Sequence, residues 1–402
     1  MISYGSASWW KITLALCLGS FMIFSNLYVT QPLLPTLAAE FSVSPLQASY
    51  TLTISTLTLG IALIFYGSIS DAIGRRALIL LSMCGVVAVG FALSFVSDYS
   101  TLLILRALQG ILLAGLPAIA VAYMADEFTP EALMSAVGLY IAANSLGGIS
   151  GRLISGITAE QLGWEKSFLV VAILSAVLTL VVFVLLPKQQ YFLPRSLNFN
   201  EIAKSMVGHL GNRKLIPAYL LGGLNFFAFV NQYSYITFVL EAEPYSLTPK
   251  FLGLLFLTYL TGTLGSTFSG KFGKKFGQPQ CMMAGSIILI FGTLVTLFDS
   301  LILIVLGFFI NAFGFFLAHS SASSWVSRNA QHSKGAASSL YLLFYYVGAS
   351  TGGIYLSYFW EWRFWEGVVF GSILVFITTF ALALYLKKPS SRHTEEANLQ
   401  KA

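Results

Sequence analysis

The chain has 402 residues, of which 56% are hydrophobic and only 9% charged, against about 25% charged in an ordinary soluble domain. A surface so poor in charge cannot be solvated as a water-dissolved globule, so the composition excludes a soluble enzyme or binding domain and points to side chains that face lipid. The net charge of +6 then reports orientation rather than a nucleic-acid partner, because loops on the cytoplasmic side of a membrane retain Lys and Arg during insertion.

A helix crossing roughly 30 Å of hydrocarbon at about 1.5 Å per residue needs about 20 apolar residues. Twelve such windows follow one another, at residues 11–34, 47–69, 77–96, 100–123, 134–157, 167–186, 215–239, 250–270, 281–298, 300–323, 335–358 and 364–386. The first has Lys11 ahead of an apolar run to Leu34, too long for a signal-peptide core and without a cleavage site, so it reads as a span. Cys17, Cys84 and Cys281 lie in apolar runs without paired spacing, and neither a metal site nor a disulfide is expected. Residues 187–214, with Pro187, Lys188, Pro194, Arg195, Lys204, Arg213 and Lys214, form the only long polar connection and divide six spans from six. The chain therefore reads as an all-α integral membrane protein: a bundle over 1–186, a cytoplasmic linker over 187–214, a second bundle over 215–388 and a cytoplasmic tail over 389–402. With the N-terminus inside, only Lys166, Lys250 and Arg363 of the 22 Lys and Arg fall on the outer side. Only Arg106 and Arg152 fall within spans, so both termini are expected in the cytoplasm of a bacterial inner membrane.

The two halves copy each other. A shift of about 201 residues lays Leu139 and Tyr140 on Leu340 and Tyr341, Gly147 on Gly348, Gly151 on Gly352 and Trp164 on Trp365, while Gly67 and Gly74 match Gly270 and Gly277. Two pseudo-symmetric six-helix bundles leave a cleft between them at the bilayer midplane, where repeat-built carriers hold their substrate.

After the second span the chain reads Gly67-Ser-Ile-Ser-Asp71-Ala-Ile-Gly74-Arg75-Arg76, with glycines where two helix ends turn and an acid flanked by cations. This spacing resembles the signature of the major facilitator superfamily, and the twelve spans, central linker and half-repeat are similar to that family over nearly the whole chain. The resemblance implies that Asp71 faces the N-terminus of a helix in the other bundle. It implies also that Arg75 pairs with an acid at the end of the fourth span, where Asp126 and Glu127 stand. Such contacts would hold the cytoplasmic side shut by about 1 to 2 kcal/mol, within reach of ligand binding. Lys274 stands in the second half where the first has Asp71, so the latch is expected to be one-sided. Arg106-Ala-Leu-Gln109-Gly110 resembles the family's second signature, in which the arginine points into the bundle. Gly138, Gly147, Gly151 and Gly156 have the spacing of its drug/proton exporters, with Arg152 where those have proline. The runs 147–156, 318–325 and 338–341 are most similar to a subgroup of bacterial inner-membrane transport proteins.

All 16 Asp and Glu fall at span ends or in loops, so no acid inside a span can pair with Arg106 or Arg152. A guanidinium in lipid costs several kcal/mol. Both are therefore expected to satisfy helix carbonyls, to snorkel, or to meet a negative or hydrogen-bonding part of a substrate. His319, the histidine within a span, reads either as a hydrogen-bonded core residue or as a proton carrier. Asn225, Gln232 and Tyr235 in the seventh span lie among aromatics, as do Tyr341 and Tyr345 in the eleventh. Asn26, Tyr28 and Gln31 in the first span and Asn144 in the fifth add polar contacts, a mixture suited to an amphipathic molecule rather than a bare ion. Gly265–Lys271 imitates a phosphate loop, but Phe272 replaces the required hydroxyl residue and no strand precedes it. Without a nucleophile elbow or a metal-ligand cluster, neither an enzyme nor a cofactor is expected. The reading is a carrier, sufficient as a monomer, that exports a small drug-like or sugar-like solute in exchange for protons. An uncoupled facilitator and a solute sensor on the same fold are the alternatives.

Overall fold

The computed structural model describes residues 1–190, 199–330 and 334–387; Pro194, Arg195 and the tail 389–402 lie outside them. The described residues are helical apart from turns and one isolated bridge between Ile2 and Phe128. The first six helices are α1 (Ala7–Tyr28), α2 (Pro45–Ile73), α3 (Arg75–Leu93), α4 (Tyr99–Glu127), α5 (Pro130–Leu162) and α6 (Trp164–Leu185). After the short linker helix Phe199–Leu210 come α7 (Ile216–Glu241), α8 (Pro249–Phe276), α9 (Gln278–Val295) and α10 (Leu301–Asn329). A last helical stretch, Lys334–Lys387, loses helical backbone at Arg363 and Phe364, which separates α11 (334–362) from α12 (365–387).

Ten helical stretches among the described residues are long and apolar enough to cross a membrane, the kinked pair counting as one. Helix α7 is not among them although it has 26 residues, because Asn225, Asn231, Gln232 and its tyrosines lower its hydropathy. Sequence chemistry sets the ends. Ser44 and Gln47 close a capping box ahead of α2, each side chain bonding the other's backbone N–H, with Pro45 at the first helical position. Gly74, Gly163 and Gly277 turn one helix into the next at φ of 101°, 95° and 95°, a region open to glycine at little steric cost. At the site related to Gly163 by the repeat, Phe364 makes the turn at φ 43°, a strained geometry for a residue with a bulky side chain.

Each half is a bundle. In the first, α1 packs on α5 and α6, and α2 on α4; in the second, α7 packs on α11, and α10 on α8 and α9. The repeat holds at the level of single contacts. A Cβ on Gly147 or Gly151 would strike the backbone of Phe21 or Ser25 in α1, and one on Gly348 or Gly352 that of Gly223 or Phe227 in α7. Small residues let these backbones approach, and van der Waals packing between helices replaces the hydrophobic effect that lipid cannot supply.

The bundles meet through α2 with α11 and α5 with α8. The end of the helices that carries Met1, residues 187–190 and residues 199–214 is the linker face. At the opposite face the contact is tight: Thr248 donates to Glu160 (2.7 Å), Thr56 and Ser350 share a bond of 3.0 Å, and Gly253 backs onto the Arg152 carbonyl. Toward the linker face the halves part. Gly60 faces Tyr346, but Gly67 two turns on has no atom within 4 Å of a Cβ position, and neither have Gly138, Gly270 and Gly335.

Gly151→Ala should lower the melting temperature of the detergent-purified protein, corresponding to about 1–3 kcal/mol of overpacking. Gly138→Ala, which meets open space, should leave it unchanged or slightly raised, and thermal unfolding of the pair reads the contrast directly.

Candidate functional site

The halves enclose a cavity of about 190 Å³ at mid-height. Tyr28 of α1, Asn144 and Arg152 of α5, Tyr259 of α8, His319 of α10 and Tyr345 of α11 all line it. It is mostly ring surface, with Phe226, Phe315 and Tyr346 completing the wall. Tyr345 stacks on Phe226 at 3.8 Å, and Phe315 stacks on Phe229 at 4.0 Å, so the wall is rigid before any ligand arrives.

Arg152 dominates the electrostatics. It is 1% exposed, and its guanidinium sits 3.9 Å from the ring centre of Tyr28, 4.3 Å from Phe256 and 4.9 Å from Tyr259. Nε and Nη2 both donate to Oε1 of Gln31, at 2.9 and 2.7 Å, and Nη1 donates to the Gly148 carbonyl at 3.0 Å. Among the described residues no carboxylate reaches it. A desolvated cation–π contact contributes about 2 kcal/mol and a hydrogen bond to a charged group about 1.5–3 kcal/mol. These terms offset the desolvation of the ion without an opposite charge. Backbone irregularity places the parts: α1 ends at Tyr28 and the chain turns through a 3-10 segment, Gln31–Leu33, while a 3-10 stretch within α8, Leu255–Tyr259, carries two of the three rings.

Gln31 also spans the bundles. Its Nε2 donates to the Val230 carbonyl at 3.1 Å and to Ser234 Oγ at 3.2 Å, both in α7. One amide thus holds the cavity cation with its oxygen and the second bundle with its nitrogen. On the other wall, His319 Nδ1 and the Tyr341 hydroxyl are 2.8 Å apart, and the imidazole stacks on Phe315.

Other sequence candidates fall elsewhere. Arg106 is fully buried in the first bundle, where it donates to the carbonyls of Thr51 (2.8 Å), Asn26 (3.0 Å) and Leu27 (2.8 Å) and to the Gln109 side chain. Asn26 bonds Ser175 and Gln109 in that network. Gln232 ties Thr293 to Asn311 inside the second bundle, and Tyr235 donates to the Gly353 carbonyl away from the cavity. Asn225 is buried with both amide atoms unpartnered, and nothing in the structure explains it. Tyr341 supports His319, and Asn144 accepts a bond from Ser20. Phe256 and Tyr259 escape sequence reading; their spacing of three in a helix that otherwise reads as lipid-facing is the only hint.

At the linker face Arg75 bonds Asp71 (2.9 Å) and Asp126 (2.6 Å). Arg76 donates to the Leu186 and Phe183 carbonyls, and Glu127 accepts from the Gln190 backbone. These partners all belong to the first half and the start of the linker. Among the described residues, the ion pair of Asp71 is the one with Arg75 of its own half.

Two matched helical bundles around a central cavity, closed toward one face, define a multi-pass membrane transporter. The chain belongs to the Major Facilitator Superfamily, whose family model matches residues 16–353 and 223–401. It is 37% identical over 401 residues to the uncharacterised MFS-type transporter YybF of Bacillus subtilis, covering 99% of each chain. It is 38% identical over 386 residues to the inner membrane transport protein YnfM of Escherichia coli, covering 95% of this chain and 91% of that one. The crystal structure of the nucleoside transporter NupG superposes with a TM-score of 0.76 at 13% identity, over 94% of this chain and 100% of that one, a likeness of fold. Family and fold are those of transporters rather than enzymes.

Two measurements separate support from gating. Arg106→Gln should cost about 2–4 kcal/mol of stability in thermal unfolding, since each orphaned buried acceptor costs about 1–3 kcal/mol, while folded molecules keep their ligand affinity. Gln31→Leu removes the bonds to α7. In a cysteine-free background with spin labels at Glu40→Cys and Glu243→Cys, electron–electron distances should shift toward longer values, by about tenfold in population.

Proposed function

We propose that the chain is a secondary transporter of the bacterial inner membrane that exports a small amphipathic solute, drug-like or sugar-like, in exchange for protons. All twelve helices cross the bilayer in this reading. The halves 1–186 and 215–388 rock about the cavity, joined by the cytoplasmic linker 187–214, with the tail 389–402 and both termini also cytoplasmic. One protomer holds a complete site. The observation that carries the reading is the cavity itself: closed by cross-bundle bonds at one face, parted toward the other, and built from rings with a few polar groups.

The linker face is then the cytoplasmic one, because it gathers Arg75, Arg76, Lys188, Lys271, Lys274 and Lys275. A solute enters from the cytoplasm and fits between the rings. The bonds of Gln31, Thr56 and Thr248 to the second half must break for release on the other side, while Asp71, Arg75, Asp126 and the glycines Gly67, Gly74, Gly147 and Gly151 form the pieces that seal the cytoplasmic face. Such exchange of contacts around a fixed site is the general logic of repeat-built carriers. No acid lines the cavity among the described residues, so His319 is the side chain at the site suited to carry the coupled proton.

Proteoliposomes loaded with a mixed metabolite and drug panel test this under an imposed pH gradient and with the gradient collapsed. Concentrative movement should require the gradient, and His319→Gln should retain exchange of the solute at near-normal rate while losing the gradient dependence. Movement indifferent to the gradient in the unaltered protein identifies a facilitator. Ligand binding without movement identifies a sensor.

A further inference from the structure

The cavity carries one fixed cation, and its charge balance sets what can enter. Arg152 lines the wall and is 1% exposed. No lining residue is acidic, and no carboxylate forms an ion pair with Arg152 among the described residues. The guanidinium has five N–H donors. Three are used, by Gln31 twice and by the Gly148 carbonyl. One N–H on Nη1 and one on Nη2 are not taken by these acceptors, with the Tyr259 hydroxyl the nearby side chain that can share them. These are the two nitrogens whose adjacent edge forms a fork matching the oxygens of a carboxylate.

Beside the guanidinium, the Tyr259 hydroxyl is buried and near enough for its oxygen to accept from Arg152, which leaves its own O–H to donate. It lines the same cavity and adds a donor where the charged end of a ligand would lie. The opposite wall is flat and apolar, with Phe315, Phe316 and Tyr345 presenting rings to the cavity. At about 190 Å³ the space is smaller than the roughly 300–1,000 Å³ of drug-sized sites, and suits one or two rings rather than a large multi-ring drug.

On the reading of this cavity as the transport site, the geometry points to a small, flat, apolar carboxylate as the ligand class, its carboxylate on that N–H pair of Arg152 and its ring among the aromatics. Organic cations of the same shape are rejected, because they would be desolvated against a fixed like charge with no acid to receive them. Gln31 holds the guanidinium by its other edge, so the fork stays in place while the anion binds. Arg152 is thus assigned as the specificity-determining residue that discriminates by charge, and the rings discriminate by shape.

The test compares 3-phenylpropionate, 3-phenylpropionamide and 3-phenylpropylammonium, which share a ring and differ in the end group. Binding to the purified full-length protein in nanodiscs is read by calorimetry and by ligand-induced thermal shift. The carboxylate should bind at least about tenfold more tightly than the amide, equal to about 1.4 kcal/mol, and the ammonium should not bind at the same concentrations. Arg152→Gln should weaken the carboxylate far more than the amide and so bring the two together, and Arg152→Lys should restore part of the preference. The comparison within the unaltered protein stands even if Arg152→Gln fails to fold. Equal or tighter binding of the ammonium, no preference for the carboxylate, or no binding of any probe at concentrations that saturate millimolar sites would each overturn the assignment. Proteoliposome flux separates the two readings. Carboxylate-selective binding without flux sinks the carrier and keeps the anion site. Flux of neutral or cationic solutes without carboxylate preference does the reverse.

Discussion

Hydrocarbon offers no hydrogen bonds, so a chain that crosses it must satisfy each backbone N–H and C=O, and each buried polar side chain, from within. That demand accounts for the uniform helicity of the described residues and for how the polar side chains inside the bundles are used. Arg106 binds three carbonyls, Asn26 binds Ser175, and Gln232 joins Thr293 to Asn311. These groups fasten helices at fixed rotations and make each bundle a rigid body. Rigidity within the bundles is what leaves the seam between them as the place where motion can occur.

Two kinds of contact hold the helices, one within the halves and one along the seam. Glycine against backbone joins helices within a half, as at Gly147 with Phe21 and Gly348 with Gly223, and such contacts have no side chain to rearrange. Between the halves, beside the close approach of Gly253 to the Arg152 carbonyl, the joints are single hydrogen bonds, Gln31 to Val230 and Ser234, Thr56 to Ser350, Thr248 to Glu160. A handful of bonds worth about 1 kcal/mol each lies in the range that a ligand's differential affinity can overcome. Gln31 belongs to both the seam and the site, since its oxygen holds Arg152 while its nitrogen holds α7. A change at the cavity cation is therefore felt at the closed face through one rigid amide.

The two span arginines show how much of the site could be read from the chain. Their lack of an acidic partner in any span required both to turn inward. It could not say that Arg106 would spend its donors on backbone carbonyls and Gln109 while Arg152 would face a cavity, because that depends on the rotation of α4 and α5 and on which carbonyls the neighbouring helices expose. Tyr28, Asn144, His319 and Tyr345 reached the cavity from the same list that placed Gln232 and Tyr235 inside the second bundle. Seven positions separate identical helix faces, but only packing decides whether a face meets a neighbour or a void. Phe256 and Tyr259 went unread because an aromatic in a membrane helix looks the same whether it meets lipid or a guanidinium.

What the sequence determined by itself was the global constraint: composition required a membrane, span length and loop chemistry set the helices and their turns, and the half-repeat with its Gly67–Arg76 signature identified the family. These follow from local properties that act whatever the neighbours are, namely apolar length, glycine at positive φ, and charge retained at one face. Tertiary structure decided which face is closed, how Gln31 links cavity to seam, and that a single cation rather than an acid looks into the cavity. Each of those depends on residues far apart in the chain, as Glu160 and Thr248 are by 88 positions, Gln31 and Arg152 by 121 and Gln31 and Val230 by 199. Their meeting is set by the packing of whole helices, for which no local pattern in the chain provides a rule.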